Sequence, residues 1–322
     1  MPSSSELLGS ITAWCLRPDL KVFGGGQRKR ISRAKINVRE FPRSAPALHV
    51  AAGTRPDPER TICSLCTHEQ LDSPRFRRWA AALGETWRAH RKLWELAYIC
   101  ESLEQRGLLA PGKRGLGFAV GLERLPSFFA SRGCQVLASD LPAEDDRNRK
   151  WASSGQWAPG LEALNRYGLC PPEQFRRLVT FRPIDMNEIP DDLQGFDFTW
   201  STCSFEHCGT LELGLRFLER QMQCLKPGGV AVHTTEFNLS SNDRTLAKGS
   251  CVIYRLKDIE GICGRLRQQG HEVEPLDLDP GSHELDRFID GKPYSSAPHL
   301  RLDLKRYAAT SIGLIIRKSA AV

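Results

Sequence analysis

Apolar residues follow no fixed period in the first 60 positions. Ser3, Ser4 and Ser5, the Gly24-Gly25-Gly26 run and Gln27-Arg28-Lys29-Arg30 break every candidate stripe, the pattern of a solvated, flexible tail. Helical spacing begins after Ser73. Residues 74–83 and 88–109 are predicted helices; the second carries Leu93, Trp94, Leu96, Ala97, Ile99, Cys100 and Leu103 on one broad face and ends at Ala110-Pro111-Gly112. Short apolar runs then alternate with helical stretches. Strands are predicted at 115–120, 135–139, 179–184, 196–200, 230–235, 272–278 and 312–316. Helices are predicted at 125–131, around 161–167, after Pro171-Pro172, at 211–225 and at 259–269. Such alternation predicts a doubly wound, mostly parallel seven-stranded α/β sheet. The expected division is a basic tail over 1–60, an N-terminal helical cap over 61–110 and the α/β domain over 111–322. No internal repeat is visible.

Charge sharpens this division. The chain of 322 residues has a formal net charge of +7, but residues 1–60 hold eleven Lys and Arg against five Asp and Glu, leaving 34 against 33 elsewhere. A nearly neutral folded part argues against nucleic acid as its substrate, since that needs a basic stripe on an ordered surface. With no apolar stretch of 18 residues and no secretory leader pattern at the start, a soluble, cytoplasmic protein is expected. Eleven cysteines in that setting are expected to be reduced, and Cys100, Cys134, Cys224 and Cys263 sit in apolar segments as small hydrophobes. Cys63 and Cys66 with His68 have a spacing that could grip zinc, but no second pair follows to complete four ligands, so no metal is expected.

In a parallel sheet, ligands bind beyond the carboxyl ends of the strands. The informative residues therefore follow strands. Gly115-Leu116-Gly117-Phe118-Ala119-Val120-Gly121 closes the first, where small residues let the backbone approach a ligand. Asp140 ends the second, nineteen residues past Gly121, placed to accept the ribose hydroxyls of an adenine nucleoside. Asp185-Met186-Asn187 follows the third, where an acid can receive an adenine amino group and Met186 can cover the ring.

These residues resemble the class I S-adenosylmethionine-dependent methyltransferases over residues 85–318. Gly117, Ala119 and Gly121 stand where that family has a G-x-G-x-G turn, Asp140 where it has the ribose acid and Asp185 where it has the adenine acid. Phe196-Asp197-Phe198 resembles the start of its fourth strand, Phe205-Glu206-His207 its Leu-Glu-His, and Leu225-Lys226-Pro227-Gly228-Gly229 the turn before its fifth. The resemblance implies a sixth and a seventh strand, the last antiparallel. Two departures stand out: Ala119 replaces the middle glycine, and Gly115 holds the place of an acid two positions before the first.

The implied cofactor is S-adenosylmethionine, with Gly115, Gly117, Ala119, Gly121, Asp140, Asp185, Met186 and Ser201 as its binding set. The expected reaction is methyl transfer to oxygen or nitrogen of a small-molecule or carbohydrate-type acceptor, with His207 and Glu236 doing acid and base work because both follow strands that end at the cofactor. His90 to Tyr98, Trp151 to Trp157, Asn238 to Asn242 and Tyr294 to Arg301 are expected to shape the acceptor pocket. Two rivals stand beside this reading. An NAD(P)-dependent oxidoreductase shares the sheet and the ribose acid, but Val120 occupies the third glycine of its turn. A catalytically inactive binding module is the other, and Ala119 is the feature that favours it.

Overall fold

The computed structural model describes residues 59–153 and 155–320; the expected tail lies outside the described residues up to position 58. In chain order the elements are β1 (Cys63–Leu65), α1 (His68–Asp72), α2 (Pro74–Ala82), α3 (Arg91–Glu104), β2 (Arg114–Gly117), α4 (Leu125–Ser131), β3 (Gln135–Asp140), α5 (Arg149–Ser153), α6 (Pro172–Leu178) and β4 (Val179–Pro183). There follow β5 (Phe196–Thr202), α7 (Leu211–Arg220), β6 (Leu225–Asn238), α8 (Leu256–Gln268), β7 (Glu272–Val273), β8 (Leu276–Asp277), α9 (Glu284–Arg287), β9 (Ile289–Asp290), β10 (Arg301–Leu304) and β11 (Tyr307–Arg317). The helix expected around 161–167 is a short 3-10 turn over Leu161–Asn165.

One sheet runs in the order β4-β3-β2-β5-β6-β11-β1-β8. Its first five strands are parallel, and β11 is antiparallel to β6 over nine residue pairs from Ala309 to Arg317. The chain leaves β2 towards β3 and β4, then returns past β2 to β5 and β6. Right-handed crossovers therefore put α4 and α6 on one face and α7 on the other. The fold is the doubly wound, Rossmann-like sheet expected, with the last long strand antiparallel. All seven expected strands lie in it, the sixth divided into β7 and β8. β1, β9 and β10 are additional. β1 pairs with β11 and β8, so the segment expected as a purely helical cap opens with a strand of the same sheet.

Local chemistry explains the elements that frame the site. Helix α3 starts where His90 Nδ1 accepts the Lys92 amide at 3.0 Å, and nearly its whole length is buried against β5, β6 and β11. Tyr98 of α3 lies on β11 at Gly313, where any Cβ would stand 2.2 Å from the ring. Gly115 and Gly117 have the same origin, with Cβ positions 2.4 Å from Phe198 and 2.3 Å from Trp200. These two aromatics pack edge-on against Phe129 of α4 beneath the parallel strands. Residues Leu225 to Gly229, expected as a turn, enter β6 through a register shift opposite Phe196 to Phe198.

Candidate active site

A cavity of about 570 Å³ opens beyond the carboxyl ends of β2, β3, β5 and β6, within the range of small-molecule sites. It brings together Ala119, Gly121, Asp140, Asp185, Met186, His207 and Glu236. Three residues expected there are elsewhere. Gly115 and Gly117 lie inside β2 against Phe198 and Trp200 and do not line the cavity, and Ser201 is fully buried with its hydroxyl 2.8 Å from His233 Nδ1. Ser201 lies within β5 opposite His233 of β6, and Thr202 at the strand's end and Cys203 just past it reach the cavity instead.

The turn after β2 is held by its neighbours. Phe118 donates its amide to Trp200 of β5 and Val120 to Ser139 of β3, both at 2.9 Å. Between them Ala119 adopts φ 47°, and Gly121 just after adopts φ 52°. Both angles fall in the left-handed region that favours glycine, so the turn keeps the backbone course of a glycine loop at some cost for Ala119. Asp140 is 7% exposed. Its carboxylate accepts amides from Gly121 at 3.1 Å, Ala158 at 3.0 Å and Leu141 at 2.8 Å. A carboxylate has about four lone-pair sites, so one remains for a ribose hydroxyl. Burial pushes its pKa up to about 6 against the lowering effect of those amides.

The segment between β3 and β4 covers this end of the cavity. Trp157 donates to the Leu141 carbonyl at 3.0 Å, and Trp151 and Gln156 line the wall. Arg147 reaches from the same segment to Asp185 at 2.6 Å, and Asp185 also accepts the Asn187 amide at 2.9 Å. The acid expected to meet adenine is thus ion-paired.

The opposite wall is built from α3 and the ends of β5 and β6. Arg91 bridges Glu95 within its own helix and Glu236 of β6; Lys92 holds the other oxygen of Glu95 at 3.0 Å. Burial pushes Glu95 up, but Lys92, Arg91 and the hydrogen bonds from Ser311 and Cys203 together keep it below the usual carboxylate range. Burial raises the pKa of Glu236, with Arg91 and Lys92 opposing it. Glu206 is raised by burial and then by the neighbouring Glu236. Glu123, which accepts from Trp200 Nε1 at 2.8 Å, is pushed up to about 7 by burial. His207 sits at the mouth. Its Nδ1 donates to the Ser250 carbonyl at 2.6 Å, which turns Nε2 into the accepting nitrogen of the neutral ring, and Trp151 packs on the ring at 4.4 Å.

Sequence reasoning covered Arg91 and Lys92 only as part of the segment His90 to Tyr98 and did not name Glu123, Cys203, Glu206 or Arg147 as site residues. A signal existed for the first group: Arg91 and Glu95 are charges four apart on a helix that is otherwise apolar towards the sheet. Of the expected acceptor segments, the front helix and the 151–157 segment contribute. Asn238 to Asn242 and Tyr294 to Arg301 do not line the cavity, and Gly249 to Cys251, Leu302 and Leu304 take their place. Cys63, Cys66 and His68 form no ligand cluster. Among the described residues the one group of three or more possible ligands is Cys203, Glu206 and Glu236. No helix among the described residues is long and apolar enough to cross a membrane.

No protein-family model matches the chain, and no curated protein matches it. Solved structures similar to it include the Burkholderia thailandensis 1,6-didemethyltoxoflavin-N1-methyltransferase, at 15% identity and TM-score 0.40, covering 78% of this chain and 81% of that one. The magnesium protoporphyrin IX methyltransferase of Synechocystis follows at 14% identity and TM-score 0.40, with 78% and 94% covered. The cyclase SpnF, at 17% identity and TM-score 0.45, covers 75% and 92%.

Proposed function

We propose that the protein binds S-adenosylmethionine and transfers its methyl group to oxygen or nitrogen of a small-molecule or carbohydrate-type acceptor. One observation carries the reading: the left-handed turn after β2, Asp140 after β3 and Asp185-Met186 after β4 converge on one cavity at the switch point of the sheet. Gly121 and Ala119 would lie along the cofactor's backbone, Asp140 would use its remaining lone pair on the ribose, and Met186 would cover the adenine. The sulfonium supplies an activated methyl carbon. The protein's own share is then to align the acceptor behind that carbon and exclude water, work suited to the buried wall of α3, β5 and β6. For an oxygen acceptor His207 is the candidate proton acceptor, through Nε2, and Glu236 the orienting group.

A second reading, an inactive binding module, draws on two observations: Asp140 already satisfies three backbone amides, and Arg147 occupies Asp185. Titration calorimetry with S-adenosylmethionine and with NADH separates the readings. Binding of the first alone, at micromolar affinity or better, is the expected result; binding of neither favours the inactive module, and binding of NADH the oxidoreductase.

A further inference from the structure

The wall facing away from the turn after β2 carries more carboxylates than cations. Arg91 and Lys92 meet Glu206 and Glu236 at the cavity and Glu95 just behind it, and the two positive charges are drawn chiefly to Glu95 and to one oxygen of Glu236. Glu236 is 4% exposed and lines the cavity, yet its Oε2 has no hydrogen-bond partner among the described residues. Glu206 is 1% exposed; its Oε2 accepts from Thr235 at 2.9 Å, and His207 Nε2 stands 3.8 Å from its Oε1. Ligand oxygens of the two acids lie within 4.8 Å of each other. A carboxylate oxygen buried without a donor is costly, so a ligand that brings a donor gains by satisfying it.

We infer that this pair is the acceptor subsite and that the acceptor is a primary or secondary amine, held as its ammonium ion between Glu206 and Glu236. The inference rests on the methyl-transfer reading for the reaction, but the ammonium site stands on its own geometry. Two carboxylates so close and so buried disfavour joint ionisation, and burial raises both, which favours a pair that carries one proton. A monovalent ammonium replaces that proton one for one and brings the donors that Glu236 Oε2 lacks. A divalent metal fits less well. The third possible ligand, Cys203, donates its thiol to Glu95 at 3.0 Å, burial keeps it protonated, and Arg91 lies 3.7 Å from its sulfur and against Glu236.

The transfer balances with these groups alone. The ammonium gives one proton to the carboxylate pair, the freed nitrogen lone pair forms the N–C bond, and the C–S bond breaks with its electrons going to sulfur. The proton leaves to solvent afterwards.

The test measures ammonium binding by calorimetry, with methylammonium and benzylammonium as probes and benzyl alcohol and benzoate as neutral and anionic counterparts. It is run at pH 7 in two buffers of different ionisation enthalpy, with and without S-adenosylhomocysteine. The ammonium probes should bind, release about one proton each and bind more tightly from pH 6 to pH 8, while the alcohol and the acid do not. Glu236→Gln and Glu206→Gln should each weaken binding tenfold or more and abolish the proton release. The wild-type pH dependence keeps the test valid if a variant fails to fold. Failure of both ammonium probes, equal binding of the alcohol or benzoate, or stoichiometric zinc binding lost in Cys203→Ser would overturn the inference. Ammonium binding with proton release but no binding of S-adenosylhomocysteine would instead overturn the methyl-transfer reading and leave the ammonium site standing.

Discussion

The two walls of the cavity handle buried carboxylates in opposite ways. On the β2–β3–β4 side, Asp140 is met by three backbone amides and Asp185 by one amide and Arg147, so main-chain groups supply most of the contacts. On the α3–β5–β6 side the partners are side chains: Glu95 is met by Arg91 and Lys92 of its own helix, Glu206 by Thr235 and Glu236 by Arg91 from across the sheet, and one oxygen of Glu236 is left without a partner among the described residues. Fixed amides cost nothing to reorganise and hold a charge in place, the property wanted for a nucleoside that is always the same. Side-chain pairs can exchange protons and partners, the property wanted where the ligand must be recognised by its charge.

Breaking the second wall should cost the most. Glu95→Ala leaves Arg91 and Lys92 buried with one partner fewer and should lower unfolding stability by about 3–5 kcal/mol in a denaturant titration. A loss under 1 kcal/mol would mean that the ionic cluster is not a unit.

Asp140→Ala tests the first wall. The loss of a charged hydrogen-bond acceptor should weaken S-adenosylmethionine binding by about 1.5–3 kcal/mol. Because the same carboxylate holds the amides of Gly121 and Ala158, the melting temperature should fall as well. Unchanged affinity with lowered stability would make Asp140 a loop anchor only.

A pH series sharpens the contrast. Glu123 is pushed from 4.5 to about 7 in the folded state, so the folded protein holds its proton more tightly than the unfolded chain does. Its contribution to stability is complete below the unfolded value and is lost as pH rises through the folded one. The melting temperature should therefore decline from about pH 5 to pH 7.5, and Glu123→Gln should flatten the slope. An unchanged slope would remove Glu123 as its source.

The smallest effect is expected at the rim. Arg147 is half exposed, and such pairs contribute about 0–1 kcal/mol. Arg147→Ala should barely move stability while raising cofactor affinity a few-fold by freeing Asp185. A fall in affinity would show that Arg147 itself contacts the ligand.

What the sequence determined alone is what depends on neighbours along the chain. Alternating apolar runs and helical stripes specified the strands from β2 to β6, the helix α4 to the residue, and the order in which Gly121, Asp140 and Asp185 fall after their strands. Short-range turn chemistry and the side-chain period carry that information. Gly115 and Gly117 show where such reasoning stops. Their small size was legible, but its cause is the rings of Phe198 and Trp200 on the adjacent strand, some 80 residues away. The three-residue β1 has no periodicity to read and exists because β11 offers it an edge. The α3–β5–β6 wall was legible only in part: His90 to Tyr98 and Glu236 were expected there, but not how they meet. Arg91, Glu206, Glu236 and Ser311 come from α3, the turn after β5, β6 and β11, and only the packing of α3 across those strands buries them together and raises the proton affinity of the two glutamates.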